Sequence, residues 1–174
     1  MPLIIIYPKN RVGVKIVLLL ILFLPLSFCA DEAPRATIPF APVYFLIDLN
    51  GLDHSLKSPL SYKIYTEQDR RSDEDRFGFS GLFVVAANTG GTVLYAYDLC
   101  CPHEKRRDIK VVPADNGTAA CPVCGSTFVT MYGFGTVEEG PASEPLQKYH
   151  VLPFPSRLGT YRIINRGLLP RVVS

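Results

Sequence analysis

From about residue 43 onward, apolar side chains recur in short runs, several of them alternating with polar ones, and the runs are rich in β-branched and aromatic residues. A period of two places successive side chains on opposite faces of an extended chain, so this pattern predicts strands and no long helix. The runs predict strands at Val43–Asp48, Ser61–Thr66, Gly81–Asn88 and Thr92–Tyr97, then Ser126–Met131, Gly135–Glu138, Gln147–Leu152 and Thr160–Asn165. Asn88-Thr89-Gly90-Gly91 reads as a hairpin turn because glycine accepts positive φ, and Tyr132–Gly135 as a second turn. Between the second and third strands, Glu67–Arg76 mixes both signs of charge and reads as a surface loop.

The N-terminus follows another pattern. After Lys9, Arg11 and Lys15, residues 16–24 are continuously apolar and lead into Pro25-Leu26-Ser27-Phe28-Cys29. An apolar core of about a dozen residues suits a signal peptide better than a membrane span of roughly twenty. Leu26-Ser27-Phe28-Cys29 resembles a bacterial lipoprotein cleavage box in which Cys29 would be lipidated; cleavage just after Cys29 and an uncleaved anchor are the alternatives. Initiation at Val14 would open the product directly on Lys15 and the apolar run. Residues 30–42 contain three prolines and no amphipathic period, as expected of an extended tether. The predicted organisation is therefore signal 1–29, tether 30–42 and one domain at 43–174, held at a bacterial cell envelope and facing the periplasm or exterior.

Composition narrows the choice. A chain of 174 residues, less its signal, holds one domain with a real core. Fifteen prolines and thirteen glycines favour short strands joined by turns. A net charge of +2 gives no nucleic-acid footprint.

The chemistry lies in two short clusters, Cys101-Pro102-His103 and Cys121-Pro122-Val123-Cys124-Gly125-Ser126, separated by residues 104–120. Thiolate and imidazole are ligands for zinc and for iron–sulfur clusters, and a Cys-x-x-Cys turn followed by Gly aims two sulfurs at one point. A three-Cys, one-His set is an ordinary tetrahedral zinc shell, although zinc ribbons usually place two or more residues between paired ligands where Cys101 and His103 have one.

The two clusters resemble the ligand loops of the Rieske iron–sulfur family, each of which gives one Cys and one His to a 2Fe-2S cluster. Gly140-Pro141-Ala142, Pro145-Leu146 and Tyr149-His150-Val151 resemble that family's third, proline-containing loop and the strand after it. The resemblance covers roughly Val43 to Asn165. It implies an all-β fold, an antiparallel β-sandwich with a smaller two-loop cluster-binding lobe. It also implies cofactor contacts from Cys101, His103, Cys121, Cys124, Ser126 and Pro141, the first four as metal ligands. Cys101 and Cys121 would hold the inner iron, His103 and Cys124 the outer.

Cys124 stands where the family has its second histidine. Thiolate for imidazole adds a negative charge, which sets the expected potential between about −400 mV for all-thiolate ferredoxins and roughly −150 to +300 mV for two-histidine centres. Ser126 keeps the family's serine hydroxyl, Phe128 replaces a tyrosine, and Arg106 and Val123 occupy the positions of a disulfide they cannot form. No Arg-Arg pair precedes the apolar run, so a general secretory route would deliver the chain without a cluster, which keeps zinc or an empty site as the alternative.

Cys100 reads as a packed spare thiol, His54 and His150 as lone histidines without ligand roles, and Lys105, Arg106 and Arg107 as a loop able to steer an acidic redox partner or simply to be solvated. With no room for a second, oxygen-activating domain, the sequence predicts a membrane-tethered electron carrier for an unidentified redox protein, and no self-contained enzyme.

Overall fold

The computed structural model describes residues 37–89 and 93–165. The predicted signal, Cys29, the first part of the expected tether and residues 90–92 of the expected turn lie outside the described residues.

Among the described residues, eleven antiparallel strands make two sheets, as the all-β reading predicts. β1 (Val43–Asp48), β2 (Tyr62–Tyr65), β3 (Arg76–Phe77), β4 (Leu82–Ala86) and β5 (Leu94–Asp98) combine with β10 (Lys148–Pro153) and β11 (Thr160–Ile164) in a seven-stranded sheet of order β2-β4-β5-β10-β11-β1-β3. Between β5 and β10 the chain builds a smaller sheet of order β6-β7-β8-β9 from Val112–Pro113, Thr118–Ala120, Thr127–Val129 and Thr136–Glu139. Phe45, Tyr65, Phe77, Val84, Ala96, Tyr149 and Ile163, one from each strand of the large sheet, share a single core. That sheet therefore curls around its own apolar face and forms a sandwich-like base.

β4 and β5 separate two cores. All five residues of β4 are buried. Leu82, Val84 and Ala86 face the base, while Phe83 and Val85 point the opposite way into a second core with Tyr97, Leu99, Cys101, Cys121 and Phe128. A strand covered on both faces loses its polar alternation, and Leu82-Phe-Val-Val-Ala86 is apolar throughout. The β4–β5 register, from Leu82 opposite Asp98 to Ala86 opposite Leu94, puts the end of β5 and the loop beyond it against the second core.

Three elements escape the pattern reading: β3, β6 and β7 are two or three residues long, too short to show a period. The Glu67–Arg76 segment is largely exposed as expected, but several of its charged side chains have partners within the chain. Thr66 and Asp69 cap a 3-10 turn at Glu67–Asp69, and Asp75 is buried beneath the backbone N–H groups of Arg71 and Ser72. Arg71 reaches Asp53, a fully buried carboxylate, with both guanidinium nitrogens at 2.9 Å. Of the expected tether, residues 37–42 run along the base: Ile38 is buried, Ala41 accepts from Asn165 and Pro42 accepts from Gly78.

Candidate metal centre

Both motifs sit on loops of the small lobe, which fixes their relation to each other. The first loop leaves β5 and is closed at its base by a β-bridge between Cys100 and Lys110 and by a bond from the Val111 N–H to the Leu99 carbonyl at 2.8 Å. Within it the Lys105 N–H bonds the Cys101 carbonyl at 2.9 Å, folding the arm back over the cysteine. The second loop joins β7 to β8. The Gly125 N–H donates to the Cys121 carbonyl at 3.0 Å, and the Cys121 N–H to the Ser126 carbonyl at 2.8 Å. Gly125 takes φ +73 with open space where a Cβ would be, so glycine is needed here for its backbone conformation alone.

These loops bring together Cys101, Cys121 and Cys124, whose sulfurs all lie within 4.8 Å of one another. The group can hold a metal ion. Cys101 Sγ and Cys124 Sγ are 3.7 Å apart. Metal–sulfur bonds of about 2.3 Å in a tetrahedron imply an edge of about 3.8 Å, so this pair is already spaced as two ligands of one ion. Cys101 and Cys121 are buried and Cys124 is partly exposed, which places the trio at the lobe surface with its back to the second core.

Ser126 joins the trio to the third loop. Its fully buried hydroxyl lies 3.2 Å from Cys124 Sγ and accepts the Ala142 N–H at 3.0 Å. The Cys124 thiol donates to the same oxygen, and once that thiol is ionised the Ser126 hydroxyl can turn its own hydrogen to the sulfur. Gly140 makes the approach possible, because a Cβ there would come within 2.5 Å of Ser126 Cα. Pro141, the next residue, is exposed at the loop's crest.

Electrostatics grade the thiols. Burial alone would hold Cys124 protonated, yet the Ser126 hydroxyl, the Ser126 backbone N–H and the neighbouring thiols outweigh it and lower its pKa. Burial dominates at Cys101 and raises it, although the backbone N–H groups of Glu104 and His103 favour its thiolate. A bound cation reverses that balance, because thiolate is the form that ligates. Cys100 stays outside the group: burial pushes its thiol up to about 11, and its sulfur lies 3.5 Å from the Cys101 and Arg106 carbonyls.

His103 is exposed on the first loop, and its ring is not among the atoms gathered with the three sulfurs. Phe128 is fully buried in the lobe core and offers the site no hydroxyl. Arg106 and Val123 are exposed. The basic run is engaged within the chain: Lys105 pairs with Glu144 of the third loop at 3.4 Å, Arg106 with Asp108 at 2.6 Å, and Arg107 lies over the Phe79 ring at 4.7 Å. A groove of about 390 Å³ lined by Phe77, Phe79, Arg107 and Lys110 among others contains none of the three thiols.

Sequence reasoning missed Asp98, the last residue of β5. This buried carboxylate accepts from the N–H groups of Phe79 at 2.6 Å, Ser80 at 3.0 Å and Cys100 at 2.8 Å, and from the Tyr149 hydroxyl at 2.7 Å. It ties the root of the first ligand loop to the β3–β4 turn and to β10. Burial raises its carboxyl against those four hydrogen bonds. An Asp two residues before a turn N–H is a local signal that could have marked it.

No protein-family model matches the chain, and no curated protein matches it.

Proposed function

We propose that this protein is a membrane-tethered electron carrier of the Rieske type, whose lobe holds a 2Fe-2S cluster on Cys101, Cys121, Cys124 and His103. The observation that carries the reading is the placement of both ligand loops. They leave one small lobe inserted between β5 and β10, converge on three thiols, and are joined through the Ser126 hydroxyl to the proline-containing third loop. When bound, such a cluster accepts and releases one electron without bond chemistry on a substrate. Cys101 and Cys121 bind from the buried side. Cys124 and His103 serve the outer side, where the chain is exposed and a partner can approach. With the thiolates ligating, the Ser126 hydroxyl and the backbone N–H groups beside Cys101 would donate to sulfur, which spreads negative charge and raises the potential relative to a site without them. Residues 1–29 supply the membrane attachment in this reading, and the partner is a redox protein.

A second reading, one zinc ion, is favoured by a specific observation. The three sulfurs lie within 4.8 Å of one another and the Cys101–Cys124 pair, at 3.7 Å, has the spacing of two ligands of one tetrahedral ion. In that reading the lobe is a structural or interaction module with the same fold.

Metal, sulfide and absorption analysis of the purified full-length chain separates the two. The electron-carrier reading expects a brown protein with about two irons and two acid-labile sulfides per chain that bleaches on reduction. Cys101→Ser and Cys121→Ser should abolish metal binding and Cys100→Ser should not. A colourless protein with one zinc and no sulfide overturns the electron-carrier reading.

A further inference from the structure

Three thiols converge on the lobe surface, and they differ in access. Cys124 is partly exposed, whereas Cys101 and Cys121 are buried. The Cys124 and Cys101 sulfurs are 3.7 Å apart, so they need to approach by only about 1.7 Å to reach a disulfide bond length of roughly 2.05 Å. Cys100, the neighbouring thiol, faces the Cys101 and Arg106 carbonyls and lies outside the group.

We propose that the metal-free site is a thiol–disulfide switch, in which a low-molecular-weight disulfide oxidises Cys124 and Cys101 to an intramolecular disulfide that excludes the metal. The disulfide follows from the geometry of the chain; the exclusion rests on the reading of the trio as a metal centre. Cys124, the accessible sulfur, attacks one sulfur of the oxidant R–S–S–R. The oxidant's S–S bond breaks, one RSH departs with the Cys124 proton, and a mixed disulfide remains on Cys124. Cys101 then attacks Cys124 Sγ from within the lobe. The mixed S–S bond breaks, and the second RSH departs with the Cys101 proton. Two protein thiols are oxidised, one external disulfide is reduced to two thiols, and no other reactant is needed. Cys121 is left as a thiol. Oxidation removes two of the three thiolates and leaves Cys121 as the sole sulfur donor of the set, so oxidation and metal binding exclude each other.

The test uses the full-length chain, stripped of metal with a chelator and incubated with oxidised glutathione. Peptide mapping after alkylation should find Cys101 joined to Cys124, with the chain lighter by two hydrogens. The link should persist in Cys121→Ser and vanish in Cys124→Ser, whose partly exposed site tolerates the change. Zinc chloride serves as the metal probe, and its affinity should fall at least about tenfold on oxidation and return with a reductant. A link through Cys100, a glutathione adduct on Cys124 that never passes to Cys101, or four unreacted thiols at positions 100, 101, 121 and 124 overturns the switch. Unchanged zinc affinity in a chain with the Cys101–Cys124 link overturns the exclusion. Failure of the reduced chain to bind zinc overturns the exclusion as well, and leaves the mapped link standing.

Discussion

In the electron-carrier reading, Cys124 is the residue on which the electronic character of the site turns. Thiolate carries a formal charge and donates more electron density than neutral imidazole, so a cluster bound here is harder to reduce than one with two histidines. Cys124→His should raise the potential by at least about 100 mV, about 2.3 kcal/mol for one electron, measured by redox titration of the visible absorption. The same substitution should add a pH-dependent step, since a ligating imidazole has a second nitrogen whose proton is linked to the oxidation state of the metal. A cluster retained at unchanged or lower potential would remove Cys124 from the ligand set. The identities of the thiols were legible in the two motifs. Their grading was not, because it depends on Ser126 lying 3.2 Å from Cys124 and on the burial of Cys101, both products of chain packing.

At the scale of elements, the base is held by a connection that pattern reading does not reveal. Asp53 lies beyond β1, Lys63 and Tyr65 on β2, and Arg71 in the segment before β3. Lys63 Nζ reaches Asp53 at 2.9 Å, the Tyr65 hydroxyl at 2.7 Å, and Arg71 also lies over the Phe45 ring at 4.9 Å. Burial works against ionisation of Asp53. Arg71, the Asp48 N–H, Lys63 and Tyr65 outweigh it and hold the carboxyl far below the usual carboxylate range. With the folded pKa below the unfolded one, the contribution of Asp53 to stability is complete above about pH 5. It is lost as pH falls through the unfolded value near 4 toward the folded one. Urea unfolding of wild type against Asp53→Asn should therefore show a stability difference of about 2 to 4 kcal/mol at pH 7 that shrinks on acidification to pH 3. A difference independent of pH would show that the charge is not what holds these elements. The strands themselves were largely readable: β1 lies where predicted, and β2, β4, β5 and β8 to β11 fall within the expected runs or one residue beyond. β3, β6 and β7 were not, since two or three residues acquire a partner strand only when the rest of the sheet supplies its edge.

At the scale of the whole molecule, membrane attachment is a separate prediction, one that falls on the N-terminal residues outside those described. The full-length chain should sediment with membranes, and Cys29→Ser should release it, because acyl chains supply the anchoring free energy. Unchanged sedimentation of the variant would favour an uncleaved apolar anchor. The sequence by itself determined the class of the domain and marked the candidate thiols: period-two runs can bury an apolar face only as sheets, and Cys101 with the Cys121-x-x-Cys124 turn stands out as a set of sulfur donors. Tertiary structure alone decided which donors meet. β4 and β5 turn alternate side chains into two cores, so the lobe is packed on the outer face of the base sheet with both ligand loops rooted beside it. The result gathers Cys101, Cys121 and Cys124 and leaves His103 at the surface. No local pattern carries that outcome, because the distance between residues 101 and 124 is set by sheet register and side-chain packing across the twenty-two residues between them.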